Sequence, residues 1–191
     1  MDITSFLIYC FIATFTPGPT NIVILSTVQN TGARKAIKYS YGATAGFGLL
    51  LVISAMLNSI LMTILPKIII VIQIIGSVYM LYLAYQIYKL DATNSTVRQT
   101  ATFMSGFLMQ FLNPKVILFT FTVVPTFILP YYSSSPAVTI RIFAIIGIGF
   151  LAFMTWVLFG ACFKAFLQKH NKIVNVVMAL SLAYAAVMVL K

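Results

Sequence analysis

The first long apolar stretch of this chain is broken in its middle by Thr16-Pro17-Gly18-Pro19-Thr20-Asn21, and a later one is broken by Asn113-Pro114-Lys115. Each proline removes an amide donor and clashes with the preceding helical turn. Deep in a bilayer, carbonyls freed in this way must find protein, water or ligand partners. Pro114 lies 97 residues after Pro17. Two further matches fall near that offset. Gly46-Phe47-Gly48 is answered by Gly147-Ile148-Gly149 after 101 residues, and Leu83-Ala84-Tyr85 by Leu182-Ala183-Tyr184 after 99. The spacing predicts two copies of a three-helix unit, and an odd number of crossings places the second copy upside down. Inverted repeats with broken helices at matching positions mark a secondary transporter, with the breaks at the substrate site.

A chain that is 61% hydrophobic and 7% charged is too apolar for a water-soluble domain. Each span needs roughly 20 apolar residues. Six stretches qualify, at about 3–28, 40–65, 67–88, 103–129, 138–163 and 173–190. The expected fold is therefore an all-α integral membrane protein of six transmembrane helices, arranged as two inverted three-helix repeats. It forms one membrane domain over 1–191, with repeat one at about 1–94 and repeat two at about 95–191. The first stretch does not read as a cleaved signal peptide. It lacks a basic leader, carries Asp2 and continues past the Pro-Gly-Pro break.

The formal charge of +10 raises the question of nucleic acid, but the placement of the charges points to lipid. Arg34, Lys35 and Lys38 follow the first stretch; Lys89 and Arg98 follow the third; Lys164, Lys169 and Lys172 follow the fifth. Lys67, Arg141 and Lys191 alone fall on the opposite side. Basic residues collect on the cytoplasmic face. The expected arrangement has the three basic connectors inside and both termini outside, with anionic headgroups as partners of the charges.

Lys115 sits 12 residues past the start of its stretch, hence about 18 Å into the membrane. An ammonium at that depth costs several kcal/mol unless paired or hydrated, which makes it a functional candidate. Its partner is expected among carbonyls, water or a substrate carboxylate, because the chain has only two acids, Asp2 and Asp91. The helix beginning at Pro114 adds a positive dipole end. Pro17, Gly18, Pro19, Asn21, Asn113, Pro114 and Lys115 are read as one midplane substrate site. Lys115 would hold a carboxylate there. Asn21 and Asn113 would hold an ammonium, bond the freed backbone, or do both.

Other residues carry plainer readings. Cys10 and Cys162 are expected to be small packing residues rather than a disulfide or redox pair. Gly42, Gly46 and Gly48, and later Gly147, Gly149 and Gly160, predict close helix approach. Tyr85 and Tyr88 suit an interfacial belt beside Lys89, whereas Tyr79 lies too deep for it and is expected to pack. His170, among connector lysines, reads as a surface residue. One histidine, two separated cysteines and no acid within the stretches disfavour an enzyme, a metal site or a carboxylate proton relay. No cofactor is implied. A passive channel for small solutes is the principal alternative to a carrier; saturable flux and counterflow separate the two.

The Thr16–Asn21 run, Asn30-Thr31-Gly32-Ala33-Arg34, Gly42 with Gly46-Phe47, and Gly106 with Asn113-Pro114-Lys115 together resemble the LysE/RhtB family of bacterial amino-acid exporters. The resemblance covers nearly the whole chain. Met109-Gln110-Phe111-Leu112-Asn113, Thr126-Phe127-Ile128-Leu129-Pro130 and Asn175 to Leu180 look most like the branch exporting cysteine and O-acetylserine. Thr20 stands where members often carry an asparagine or aspartate. The resemblance implies an efflux carrier of the bacterial inner membrane for small amino acids or their derivatives. The partners to expect are that substrate, membrane lipids and a second copy of the chain as a candidate homodimer.

Overall fold

A computed structural model describes residues 3–89, 101–132 and 134–189. Its helices are α1 (Ile3–Phe15), α2 (Pro19–Thr31), α3 (Ala33–Met56), α4 (Asn58–Tyr88), α5 (Phe103–Leu112), α6 (Pro114–Phe127), α7 (Ser135–Cys162), α8 (Lys164–Lys169) and α9 (Asn171–Val189). No strand occurs among the described residues. α3, α7 and α9 are each long and apolar enough to cross a membrane. The bent pairs α1–α2, at 46°, and α5–α6, at 70°, raise the candidate spans to five. The remaining stretch, expected at 67–88, falls inside α4, a helix of 31 residues.

Both bends arise where the sequence breaks. Pro19 and Pro114 each open a new helix, with the missing amide placed where no intrahelical partner was needed. Between α2 and α3 the chain turns at Gly32, whose φ of 95° disfavours a side chain. The boundary between the second and third stretches differs from expectation. It lies at Leu57 rather than near Pro66, and α4 runs through Pro66 and Lys67. A proline is tolerated inside a membrane helix, and the residues on both sides of this one remain largely apolar.

Small residues set the closest packing. A Cβ added to Gly42 would lie 1.8 Å from the Phe103 carbonyl oxygen, and one on Gly106 would lie 2.1 Å from that of Tyr39. α3 and α5 thus meet backbone to backbone. Gly149 admits the Phe47 ring, with a Cβ there only 2.6 Å from it. Gly147, expected to act similarly, faces nothing within 4 Å.

Two apolar clusters result. One joins Ile22–Leu25 and Val28 of α2 to Tyr39 and Ala43 of α3, Phe153 and Val157 of α7, and parts of α4, α5, α8 and α9. The other joins Phe6 and Cys10 of α1 to Phe47 and Leu51 of α3, Phe119 and Val123 of α6, and Ile142 and Ile145 of α7. Along α3 and α7 membership changes between Ala43 and Phe47 and between Ile145 and Phe153. The α1–α2 break falls at the same level, between Cys10 and Ile22. The polar breaks therefore lie in a seam between two apolar layers. Cys10 packs in the second layer and Cys162 is exposed; both are free thiols. Tyr79 packs, partly buried, against the first layer.

Gly106→Ala should force α5 away from α3 and destabilise the fold by about 1–3 kcal/mol or more. Gly147→Ala should be close to neutral. Thermal melting of the two purified variants checks the contrast, and equal melting would contradict the backbone contact.

Candidate functional site

The first break ends α1 at Phe15 and leaves the carbonyls at its carboxyl end without helical partners; Pro17 and Pro19 have no N–H to offer Ala13 and Phe15, and the chain turns away before Gly18 and Thr20 could serve Thr14 and Thr16. Side chains from three elements supply them. Asn21 of α2 donates through Nδ2 to the Thr14 oxygen at 3.1 Å and to the Thr16 oxygen at 3.0 Å. Trp156 of α7 donates through Nε1 to the Phe15 oxygen at 3.2 Å. Lys115 of α6 donates through Nζ to the Thr16 oxygen at 2.9 Å and to Thr16 Oγ1 at 2.8 Å. The Thr16 hydroxyl in turn donates to the Ile12 oxygen at 2.8 Å, leaving its lone pairs for the ammonium.

The direction taken by Lys115 follows from helix electrostatics. It is the second residue of α6, where the amino end of the helix repels a cation. The side chain crosses to the carboxyl end of α1, which attracts one. Gly18 makes this crossing possible. A Cβ there would sit 3.1 Å from Lys115 Cδ and 3.3 Å from its Nζ.

The second break is capped by its own asparagine. Asn113 Oδ1 accepts from the Lys115 backbone N–H at 3.1 Å, and its Nδ2 donates to Thr20 Oγ1 at 3.0 Å. Gln110 Nε2 also donates to Thr20 Oγ1, at 3.3 Å, and to the Gly106 oxygen at 3.1 Å. Thr20 thus joins the two breaks. Asn21 Oδ1 and Gln110 Oε1 are buried and have no hydrogen-bond partner.

A cavity of about 30 Å³ lies in the seam, lined by Thr14, Gly18, Thr20, Asn21, Asn113 and Lys115 on its polar side. Phe47, Phe119, Phe153 and Gly149 form its apolar wall. That volume suits a water molecule and is too small for an amino acid. On the other side of Gly18 a crevice of about 550 Å³ opens between Pro17, Gly18 and Ile22 and the α9 residues Val177, Leu180, Ser181 and Tyr184. The far end of α2 is held to α9 and α8. Gln29 Nε2 donates to Asn171 Oδ1, and Gln168 Nε2 donates to the Gln29 oxygen at 3.1 Å.

Of the seven expected site residues, Gly18, Asn21, Asn113 and Lys115 converge on the small cavity. Pro17 joins Gly18 at the crevice. Pro19 and Pro114 start helices and line neither space; Pro114 instead packs on α4, where a Cβ on Gly76 would meet its Cδ at 2.7 Å. Asn21 Nδ2 bonds freed backbone carbonyls, whereas Asn113 Nδ2 bonds the Thr20 hydroxyl and its Oδ1 accepts from the Lys115 N–H. The sequence reading missed Thr14, Thr16, Thr20, Gln110 and Trp156. Gln110 carried a signal, as a polar side chain inside an apolar helix. No described residue is acidic, so Lys115 has no protein counterion among them. No group of His, Cys, Asp or Glu among the described residues is placed to hold a metal ion.

Comparison with known proteins matches residues 11–191 to the LysE type translocator family. The chain is 33% identical over 187 residues to a cysteine/O-acetylserine efflux protein of Klebsiella pneumoniae, covering 97% of this chain and 95% of that one. A cysteine/O-acetylserine efflux protein of Salmonella paratyphi A is 32% identical over 188 residues, with 98% and 96% covered. One from Escherichia coli O1:K1 is 30% identical over 187 residues, with 97% and 95% covered. No solved structure matches.

Asn21→Leu should strand the Thr14 carbonyl, while the Thr16 carbonyl keeps Lys115, and cost about 1–3 kcal/mol for the buried group left unpaired. Asn21→Asp tests the donor specifically, since its oxygens cannot donate to carbonyls while ionised. Melting equal to wild type in both variants would contradict the capping role.

Proposed function

The chain belongs to the LysE type translocator family, and from that premise we propose that it exports small zwitterionic amino acids or their derivatives, of the cysteine and O-acetylserine kind, across the bacterial cytoplasmic membrane. Similarity to efflux proteins along nearly the whole chain supports the substrate class. The observation that carries the site is the Lys115 ammonium at the junction of two broken helices, hydrogen-bonded to backbone and a hydroxyl and with no acidic partner among the described residues. A substrate carboxylate supplies the missing counterion. Freed carbonyls of α1 and the unpartnered Asn21 Oδ1 suit an ammonium beside it.

Transport in this reading is alternating access by six helices in two inverted halves, with both termini outside and lipid headgroups against the basic connectors. Helix pairing supports the repeat. If α1–α2, α3 and α4 correspond to α5–α6, α7 and α9, most contacts come in matched pairs. α3 packs on α5 as α7 packs on α1; α2 packs on α7 as α6 packs on α3; α4 packs on its own counterpart α9. The seam between the apolar layers is the natural plane for the two halves to rock about the site. No described residue offers an acidic relay, so any ion coupling must use other groups.

Lys115→Met should reduce efflux from proteoliposomes by about tenfold or more, the loss expected for a charge-assisted hydrogen bond worth about 1.5–3 kcal/mol. Its melting temperature should stay near wild type, because an ammonium without an acidic partner adds little stability. Wild-type efflux by the methionine variant would remove the site's anchor.

A further inference from the structure

Lys115 Nζ meets two oxygens of one residue, Thr16, at 2.9 and 2.8 Å. Those oxygens sit at the carboxyl end of α1, where partial negative charge accumulates. Thr16 and Pro17 are exposed, and Pro17 and Gly18 border the large crevice, so the contact lies beside open space. Asn21 Oδ1, on a side chain only 3% exposed, lies nearby without a partner. A hydroxyl, a helix-end carbonyl and an amide oxygen are what a primary ammonium needs. The ammonium held there belongs to the protein itself.

We propose that Thr16 is a seat for the substrate's ammonium, held in this structure by Lys115, and that a zwitterionic amino acid inserts between the two, placing its ammonium on Thr16 and its carboxylate on Lys115. The inference rests on the amino-acid export reading and adds a residue and a mode of binding to it. Charge accounts for the arrangement. A zwitterion is neutral, so insertion adds no net charge to a low-dielectric site. Each of the two cations keeps an oxygen partner, and Lys115 exchanges a carbonyl for a carboxylate, the stronger acceptor. A site with a lysine and, among the described residues, no acid therefore selects for ligands that bring both charges. An amine alone must evict Lys115 and leave it unpaired, while an acid alone leaves Thr16 empty-handed. The small cavity has no room for the inserted ligand, so Lys115 must draw away from Thr16 to admit it; the 550 Å³ crevice, which Pro17 and Gly18 line but Thr16 and Lys115 do not, adjoins the contact.

Tethered competition gives a crossed pattern of binding. The probes are cysteamine, an ammonium without a carboxylate, and 3-mercaptopropionate, a carboxylate without an ammonium. Binding to the purified full-length protein is read from thermal stabilisation, apart from any transport assay. Thr16→Val should weaken cysteamine binding about fivefold, the share of one neutral acceptor, and leave 3-mercaptopropionate no weaker, because the hydroxyl that competes for Lys115 is gone. Lys115→Gln should weaken 3-mercaptopropionate and tighten cysteamine, because the resident ammonium is gone. A purely structural role for either residue moves both probes alike. Equal effects on the two probes, or no tightening of cysteamine in Lys115→Gln, would overturn the proposal; if that variant does not fold, the Thr16→Val contrast decides alone. Counterflow of labelled cysteine in wild-type proteoliposomes is measured in parallel. Counterflow without the crossed pattern rejects the seat, and the crossed pattern without counterflow rejects the export reading while the seat stands.

Discussion

The unpaired carbonyls at the end of α1 are the constraint on which the rest of the arrangement depends. Inside a membrane such groups cannot turn to bulk water. Here they are bound by an amide from α2, an indole from α7 and an ammonium from α6. Two of those contacts, from Lys115 and Trp156, draw distant parts of the chain to the break. They also explain the shape around it. Gly18 is bare so that the lysine stem can pass, and Gly149 is bare so that Phe47 can close the apolar wall. A break in a helix has become a place where hydrogen bonds from α2, α6 and α7 converge.

The two breaks are not equivalent. The second is capped locally, by Asn113 on the backbone of Lys115, and needs no side chain from elsewhere. The first depends on long-range donors, one of them charged. Its caps can therefore be exchanged for ligand groups without unwinding a helix, provided the ligand offers equivalent donors. The seam between the two apolar layers concentrates backbone oxygen, hydroxyl and amide groups, and the described residues include no acid. Such a place suits a small neutral molecule with two opposite charges better than it suits a bare ion.

Much of this was readable from residue order alone. Two prolines around a glycine in an apolar run could hardly continue a helix, and Asn113-Pro114 is a cap followed by a first-turn proline. Lys115 stood out by depth. The partner of Lys115 did not stand out. Thr16 looks like any threonine bonding back to its own helix, which it also does through Ile12. Trp156 was silent because its partner, Phe15, is 141 residues away. The repeat offset paired Gly46 with Gly147, yet Gly46 meets the α5 backbone and Gly147 meets nothing. The matching glycines of the sequence offset thus do not share a packing role. Pro66-Lys67 resembled a helix boundary because proline and charge punctuate soluble proteins; within an apolar run they did not end α4.

The central claim is that a substrate carboxylate meets Lys115. Magnetic resonance on protein labelled with 15N at lysine Nζ, in lipid with amino acid labelled with 13C at the carboxylate, measures that contact directly. The account predicts one dipolar contact within about 4 Å, the reach of a charge-assisted hydrogen bond, lost in Lys115→Arg. Saturable binding of the labelled amino acid with no contact to the Lys115 nitrogen would contradict it.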